Sequence, residues 1–238
     1  MEQPAPTALP LPARVARVHI IGGPGSGKTS LAADIAARTG IPVHQLDEVA
    51  RVGGGNGPVR SPQERARLVD AILAGERWIT EGVHLGWVEP FLERADVIVW
   101  LDYVSWRRAT RRIVRRFVEG AIAEMRTRPA RERFTRFRDY GRHLRTLGGA
   151  ILDTRRYYDE TPAASPAPVT GSAMTPGSGV GTGTTGRARA ATSGGGESTL
   201  DSRSETLAEL APYRAKLVHC RSASDVERFR ETFRRPAR

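Results

Sequence analysis

Cysteine is nearly absent from this chain: Cys220 stands alone among 238 residues. No intrachain disulfide and no cysteine-rich metal centre can therefore form, and with no His/Cys cluster at ligand spacing a zinc site is set aside. Lysine is almost as scarce. Of 37 basic residues only Lys28 and Lys216 are lysines, so the net charge of +11 is an arginine charge. No apolar run approaches membrane-spanning length. The stretch Met1 to Pro12 is Pro-rich, carries Glu2, and lacks the basic-then-apolar order of a secretory leader. The expectation is a cytoplasmic α/β domain of ordinary size with tails, a monomer, and no membrane partner. The arginine excess suits anionic partners, and an Ala/Arg/Gly-rich composition bias accounts for it equally well.

What is present is concentrated near the start. Gly22 to Thr29 reads Gly-Gly-Pro-Gly-Ser-Gly-Lys-Thr, directly after the apolar run Val18-His19-Ile20-Ile21. This is a complete phosphate-binding loop. Its glycines let backbone N–H groups turn inward around phosphate oxygens, Lys28 reaches the β- and γ-phosphates of a nucleotide, and Thr29 offers Mg²⁺ a hard oxygen. The helix expected from Lys28 to Thr39 aims its positive end at the anion. Gly22, Gly25, Ser26, Gly27, Lys28, Thr29 and Ser30 are the expected nucleotide-binding residues.

Along the rest of the chain, strands alternate with helices, which argues for a parallel sheet with right-handed crossovers. The expected strands are Arg17–Ile21, Pro42–Leu46, Trp78–Thr80, Val97–Leu101 and Ala215–His219. Expected helices follow the phosphate loop, run from a Ser61-Pro62-Gln63-Glu64 start to about Ala74, span about Trp87 to Glu93, and start again near Ser105 as a long Arg-rich helix. A further helix or two falls in 130–158, with others near Glu205 to Leu210 and Ser224 to Thr232. Residues 1–13 read as a disordered tail, 14–160 as a core with its lid, and 205–238 as the last helix, strand and helix of the same core. Between them, 161–204 is Pro-, Gly-, Ser-, Thr- and Ala-rich and reads as a disordered insertion.

Four segments in order, Ile20 to Thr29, Ile41 to Asp47, Trp78 to Gly82 and Arg94 to Asp102, resemble the adenylate-kinase-like P-loop proteins called topology-modulation proteins. The resemblance covers about residues 15–118 and, more weakly, 205–232. It implies a nucleoside-monophosphate-kinase-type P-loop NTPase: a three-layer α/β fold with five parallel strands in order 2-3-1-4-5 and a helical, Arg-rich lid. It also implies that arginines at the end of the long helix and in the lid clamp ATP phosphates. Arg112 and Arg116 fit that role, with Arg126 and Arg128 in the lid. The chain departs from the family in having Glu81-Gly82 in place of Asp-Gly, and Glu48-Val49-Ala50-Arg51 where aromatics usually stand.

Phosphoryl transfer needs a phosphate cradle, Mg²⁺, cations and a positioned acceptor. Thr29 with Glu81 is the expected metal pair, while Glu81 as a solvated loop acid stays open. Asp47 can be a base, a metal ligand or a helix cap. Lys28, Asp47, Arg112 and Arg116 are the expected catalytic set. Asp47 favours a hydroxyl acceptor and the arginine excess favours a nucleoside monophosphate; the residues leave both open. Trp78 and Trp100 lie in strand patterns and are expected in the core, whereas Trp87 could line an acceptor pocket. The leading functional expectation is an ATP- and Mg²⁺-dependent kinase of a small molecule. The alternative is a nucleotide-binding regulator that contacts nucleic acid or protein through segment 107–156, which holds sixteen arginines against five acids.

Overall fold

A computed structural model describes residues 15–54, 57–127, 137–158 and 202–233; side chains are described outside 124–143 and 146. The tail, the Arg126 side chain, Arg128 and the 161–199 stretch of the expected insertion thus lie outside what is described. Five strands, β1 (Arg17–Gly22), β2 (Val43–Gln45), β3 (Trp78–Glu81), β4 (Val97–Leu101) and β5 (Leu217–Cys220), form one sheet in the order β2-β3-β1-β4-β5. Every pairing is parallel. The order is the 2-3-1-4-5 expected, with the phosphate loop between β1 and the first helix.

Helices cover both faces: α1 (Lys28–Thr39), α2 (Leu46–Ala50), α3 (Pro62–Leu73), α4 (Glu89–Arg94), α5 (Trp106–Thr127), α6 (Phe137–Tyr158), α7 (Arg203–Leu210) and α8 (Ala223–Glu231), with a 3-10 turn over Ala211–Lys216 before β5. The two-residue period of the strands divides the core into two layers. Val18, Ile20, Val97, Val99 and Leu101 face α1 and α8, meeting Leu31, Ile35, Val226 and Phe229. Ile21, Ile98 and Trp100 face the other way, toward Leu46, Val69, Leu73, Phe91 and Leu210. β4 is buried at every position, as its unbroken apolar run predicts for a strand covered on both faces. Trp78 and Trp100 are core residues. Each large side chain removed from water in this way contributes about 1.5–3 kcal/mol.

Helix starts follow local chemistry. The Ser61 hydroxyl accepts from the Glu64 N–H at 3.2 Å while the Glu64 carboxylate accepts from the Ser61 N–H at 2.9 Å, and Pro62 occupies the first turn. Ser202 with Glu205 and Ser222 with Asp225 repeat the reciprocal arrangement at α7 and α8. The first cap explains why α7 begins at Arg203, ahead of the expected Glu205. A larger correction concerns β2. It ends at Gln45, and Leu46-Asp47-Glu48-Val49-Ala50 form α2 instead of a strand end and loop. Leu46, Val49 and Ala50, at i, i+3 and i+4, are all buried on one side of that turn, and its two acids sit in the first turn, where the helix dipole favours them. Similarly, the 3-10 turn delays β5 to Leu217–Cys220, and α4 starts at Glu89 rather than Trp87.

α5 and α6, each of 22 residues, make a helical lid. Among the described residues no helix is long and apolar enough to cross a membrane. The chain leaves α6 and returns at α7 over the same part of the core. The Tyr157 hydroxyl accepts from Trp100 Nε1 at 3.4 Å and lies 3.5 Å from Thr206 Oγ1. Replacing residues 161–199 with a short Gly/Ser bridge is therefore expected to change unfolding free energy by no more than about 1 kcal/mol, the scale of a change in loop length. Chemical denaturation of the two chains measures it, and a loss of several times that amount would refute the expectation.

Candidate functional site

The phosphate loop leaves β1 at Gly22 and enters α1 at Lys28. Its path is forced by close approaches. Gly25 has φ +69°, and a Cβ there would lie 2.9 Å from the Ala109 carbonyl oxygen, so α5 can press its backbone onto the loop only where no side chain intervenes. A Cβ on Gly23 would fall 2.3 Å from the Tyr157 ring, and the Tyr158 hydroxyl donates to the Pro24 carbonyl at 3.3 Å. The end of α6 is thus packed against the loop. Burial, with Tyr157 and Asp102 nearby, holds the Tyr158 phenol above its ordinary range, so it stays a donor.

Inside the loop, Lys28 Nζ donates to the carbonyls of Gly22 at 2.7 Å and Gly23 at 3.1 Å. Burial pushes this ammonium below its usual range; Glu81 and Asp47 draw it back up, and the Arg116 charge lowers it further. The Ser26 hydroxyl is buried without a hydrogen-bond partner among the described residues. An orphaned hydroxyl in a glycine cradle fits an acceptor-rich group such as a phosphate. Just behind the loop, Thr29 Oγ1 donates to Glu81 Oε1 at 2.8 Å. Two hard oxygen donors at that separation fit Mg²⁺, which is held by few protein oxygens and completes its shell with water and phosphate. Ser30, by contrast, is exposed on α1, and no contact from it to the loop is observed.

The arginines of α5 differ in their contacts. Arg112 Nη1 donates to the Gly25 carbonyl at 3.2 Å, and Arg116 is close enough to act on Lys28. Arg107 lies over its neighbour Trp106 at 5.7 Å, and Arg115 pairs with Glu119 at 3.3 Å. The expected clamp residues therefore stand on the loop side of α5.

Asp47 opens α2, and its Oδ1 accepts from His84 Nε2 at 2.8 Å. His84 belongs to the loop after β3, and no motif spacing in the sequence pairs it with Asp47. Equally illegible is the cluster at the end of β4. Asp102, 3% exposed, accepts from Arg203 Nε at 2.7 Å, from Arg203 Nη2 at 3.0 Å and from His219 Nε2 at 2.9 Å. Burial works to raise the Asp102 carboxyl, but these hydrogen bonds prevail and hold it below its ordinary range. The His219 ring stacks on Trp100 with centroids 4.1 Å apart. This cluster joins the last helix-strand-helix segment to the edge of the site.

No family model matches the chain, and no curated protein matches it. Among solved structures it is similar to an unliganded sugar kinase from Janibacter sp. HTCC2649, at 19% identity and a TM-score of 0.31, over 42% of this chain and 67% of that one. A gluconokinase from Sinorhizobium meliloti 1021 is similar at 19% identity and a TM-score of 0.31, over 41% of this chain and 62% of the other. For a shikimate kinase from Acinetobacter baumannii, solved with shikimate, the values are 17% and 0.34, over 59% and 80%. The chain spans about two thirds of the length of the first two. Likenesses this distant assign no activity, and the reading of the site stands on its own geometry.

Gly25→Ala adds a Cβ against α5 at a left-handed backbone position. It is expected to cost about 1–3 kcal/mol of stability and to weaken nucleoside triphosphate binding at least tenfold. Thermal unfolding and titration calorimetry measure the two effects; unchanged values in both would mean that the loop is not held by this contact.

Proposed function

We propose that this chain is an ATP-dependent kinase that transfers the γ-phosphoryl group to a small-molecule acceptor, a relative of the topology-modulation proteins. The observation that carries the reading is the contact between the Thr29 hydroxyl and the Glu81 carboxylate at 2.8 Å, directly behind a loop that holds Lys28. A glycine-rich turn alone would need no carboxylate there.

In this reading the backbone N–H groups of Gly22 to Gly27 and the Ser26 hydroxyl bind the phosphates. Lys28 exchanges its bonds to the Gly22 and Gly23 carbonyls for phosphate oxygens, a short move for a flexible side chain that keeps its donors satisfied. Arg112 and Arg116 approach the same loop from α5 and spread the charge that builds on the equatorial oxygens. Thr29 and Glu81 would hold Mg²⁺, which when bound neutralises the β- and γ-oxygens. Asp47, near enough to Lys28 to feel its charge, is in this reading the base for an acceptor that carries a proton. Arg126 and Arg128 remain lid cations in this proposal.

The test is ADP release from Mg·ATP by the full chain across a panel of nucleosides, nucleoside monophosphates and small hydroxy compounds. Stimulation by at least one acceptor is expected, falling about 100-fold or more in Lys28→Ala. Glu81→Gln is expected to raise the Mg²⁺ concentration needed for half-maximal rate. A flat panel with ATP binding intact would remove the kinase reading in favour of the nucleotide-binding regulator.

A further inference from the structure

We propose that the acceptor group is a hydroxyl rather than a phosphate, and that His84 is the positioning residue that holds the Asp47 carboxylate ready for its proton. The proposal rests on the kinase reading above and names the substrate class of the same site.

The pairing is built by the sheet. β2 and β3 run parallel with Gln45 opposite Glu81, so the residues just past each strand emerge side by side. Gly82 has φ +152°, and a Cβ there would lie 2.8 Å from Leu46 Cβ. The loop after β3 is therefore pressed against the start of α2, and it brings His84 to Asp47. His84 is the one non-glycine residue with positive φ among the described residues, at 30°. Such a conformation persists where the surroundings over-determine it. Here the imidazole is 10% exposed, packs against Trp87 with ring centroids 5.0 Å apart, and donates a hydrogen bond from Nε2 to Asp47. Its Nδ1 is buried with no partner among the described residues, so the Asp47 contact is the polar bond that orients the ring.

Asp47 is the accessible member, with 71% of its side chain exposed. The His84 hydrogen bond comes first among the influences on its carboxyl. Partial desolvation by its neighbours opposes it, the charges of Lys28 and Arg51 add to it, and the net result is a carboxyl held below its ordinary range. The group is thus an ionised acceptor, fixed at one oxygen and open at the other. A hydroxyl acceptor needs such a group. Its oxygen bonds to the γ-phosphorus as the bond to the β,γ-bridging oxygen breaks, that electron pair leaves with ADP, and the hydroxyl proton passes to the second oxygen of Asp47.

A monophosphate acceptor is already ionised and needs cations instead. Among the described residues, the arginines around this corner each hold a partner. Arg51 Nη1 donates to the Gly57 carbonyl at 3.0 Å, Arg60 Nε to the Glu48 carbonyl at 3.3 Å, and the Arg65 guanidinium lies over the Trp87 ring at 5.2 Å. A phosphate entering beside Asp47 and Glu81 would meet two carboxylates.

The experiment measures ADP release from Mg·ATP with two acceptor panels, hydroxyl compounds (polyols, aldoses, hydroxy acids, nucleosides) and nucleoside monophosphates, followed by variants on the responding acceptor. A hydroxyl compound is expected to respond. His84→Gly, which suits the left-handed backbone, is expected to lower kcat about 10- to 100-fold with little change in KM for ATP. It should also move the acid limb of the kcat/KM profile to higher pH, because Asp47 loses the bond that lowers its pKa. His84→Gln restores an N–H near the position of Nε2 and should recover part of kcat. Phosphorylation of a monophosphate overturns the inference and leaves the kinase reading standing. So does a His84→Gly enzyme with unchanged kcat and pH profile. A panel in which no acceptor responds removes the kinase reading and this inference with it.

Discussion

Parallel pairing of β1 with β3 on one side and β4 on the other is the constraint on which the rest of the site depends. Strands that run the same way end at the same edge. With Ile20 opposite Glu81 and Gly22 opposite Leu101, the phosphate loop, the Glu81 carboxylate and Asp102 all emerge together. β2 adds Asp47 beyond Gln45. None of these groups is near another in sequence. They converge because each lies at or just past the end of a strand in one parallel sheet, and the register of the central strands is held by alternation between two core layers. Shifting β1 by one residue would send Val18 and Ile20 into the wrong layer and carry the loop away from Glu81.

The lid and the last segment are fastened to this edge by different physics. α5 and α6 approach the loop through absent side chains: Gly25 admits the α5 backbone and Gly23 admits the Tyr157 ring. The segment from Ser202 onward is joined through a buried carboxylate instead, with Asp102 holding both Arg203 and His219. A buried, paired carboxylate is costly to leave half-satisfied, so this cluster specifies how α7 and β5 dock more than it adds net stability. Its position next to Trp100 and Tyr157 makes the end of α6 and the start of α7 part of one packed surface near the phosphate loop.

Charge is distributed unevenly across the edge. Cations gather on the α5 side, where Arg112 bonds the loop and the Arg116 charge reaches Lys28, while carboxylates gather on the β2 and β3 side, where Asp47 and Glu81 stand. Lys28 sits between and feels both. Such a gradient suits a reaction in which a polyanion rests on one side and a proton is removed on the other. It also explains why net charge alone was ambiguous: +11 describes the whole chain, whereas the chemistry depends on which few arginines reach the loop.

The sequence by itself determined the loop and its helix, the strand–helix alternation, the burial of Trp78 and Trp100, and the candidacy of Thr29 with Glu81. Local patterns carry these, because a phosphate loop is contiguous and a strand's period is visible within a few residues. α2 was missed because five residues show barely one helical turn, and the Leu46, Val49, Ala50 period is readable only once one knows which side is buried. Tertiary structure alone decided the rest: the Arg112 bond to the Gly25 carbonyl, the Tyr157 and Tyr158 contacts with the loop, the Asp102 cluster, and His84 beside Asp47. Each joins residues from separate elements, and the separations are set by sheet register and by a close approach at a glycine. That is information about distance in space, which spacing along the chain does not contain.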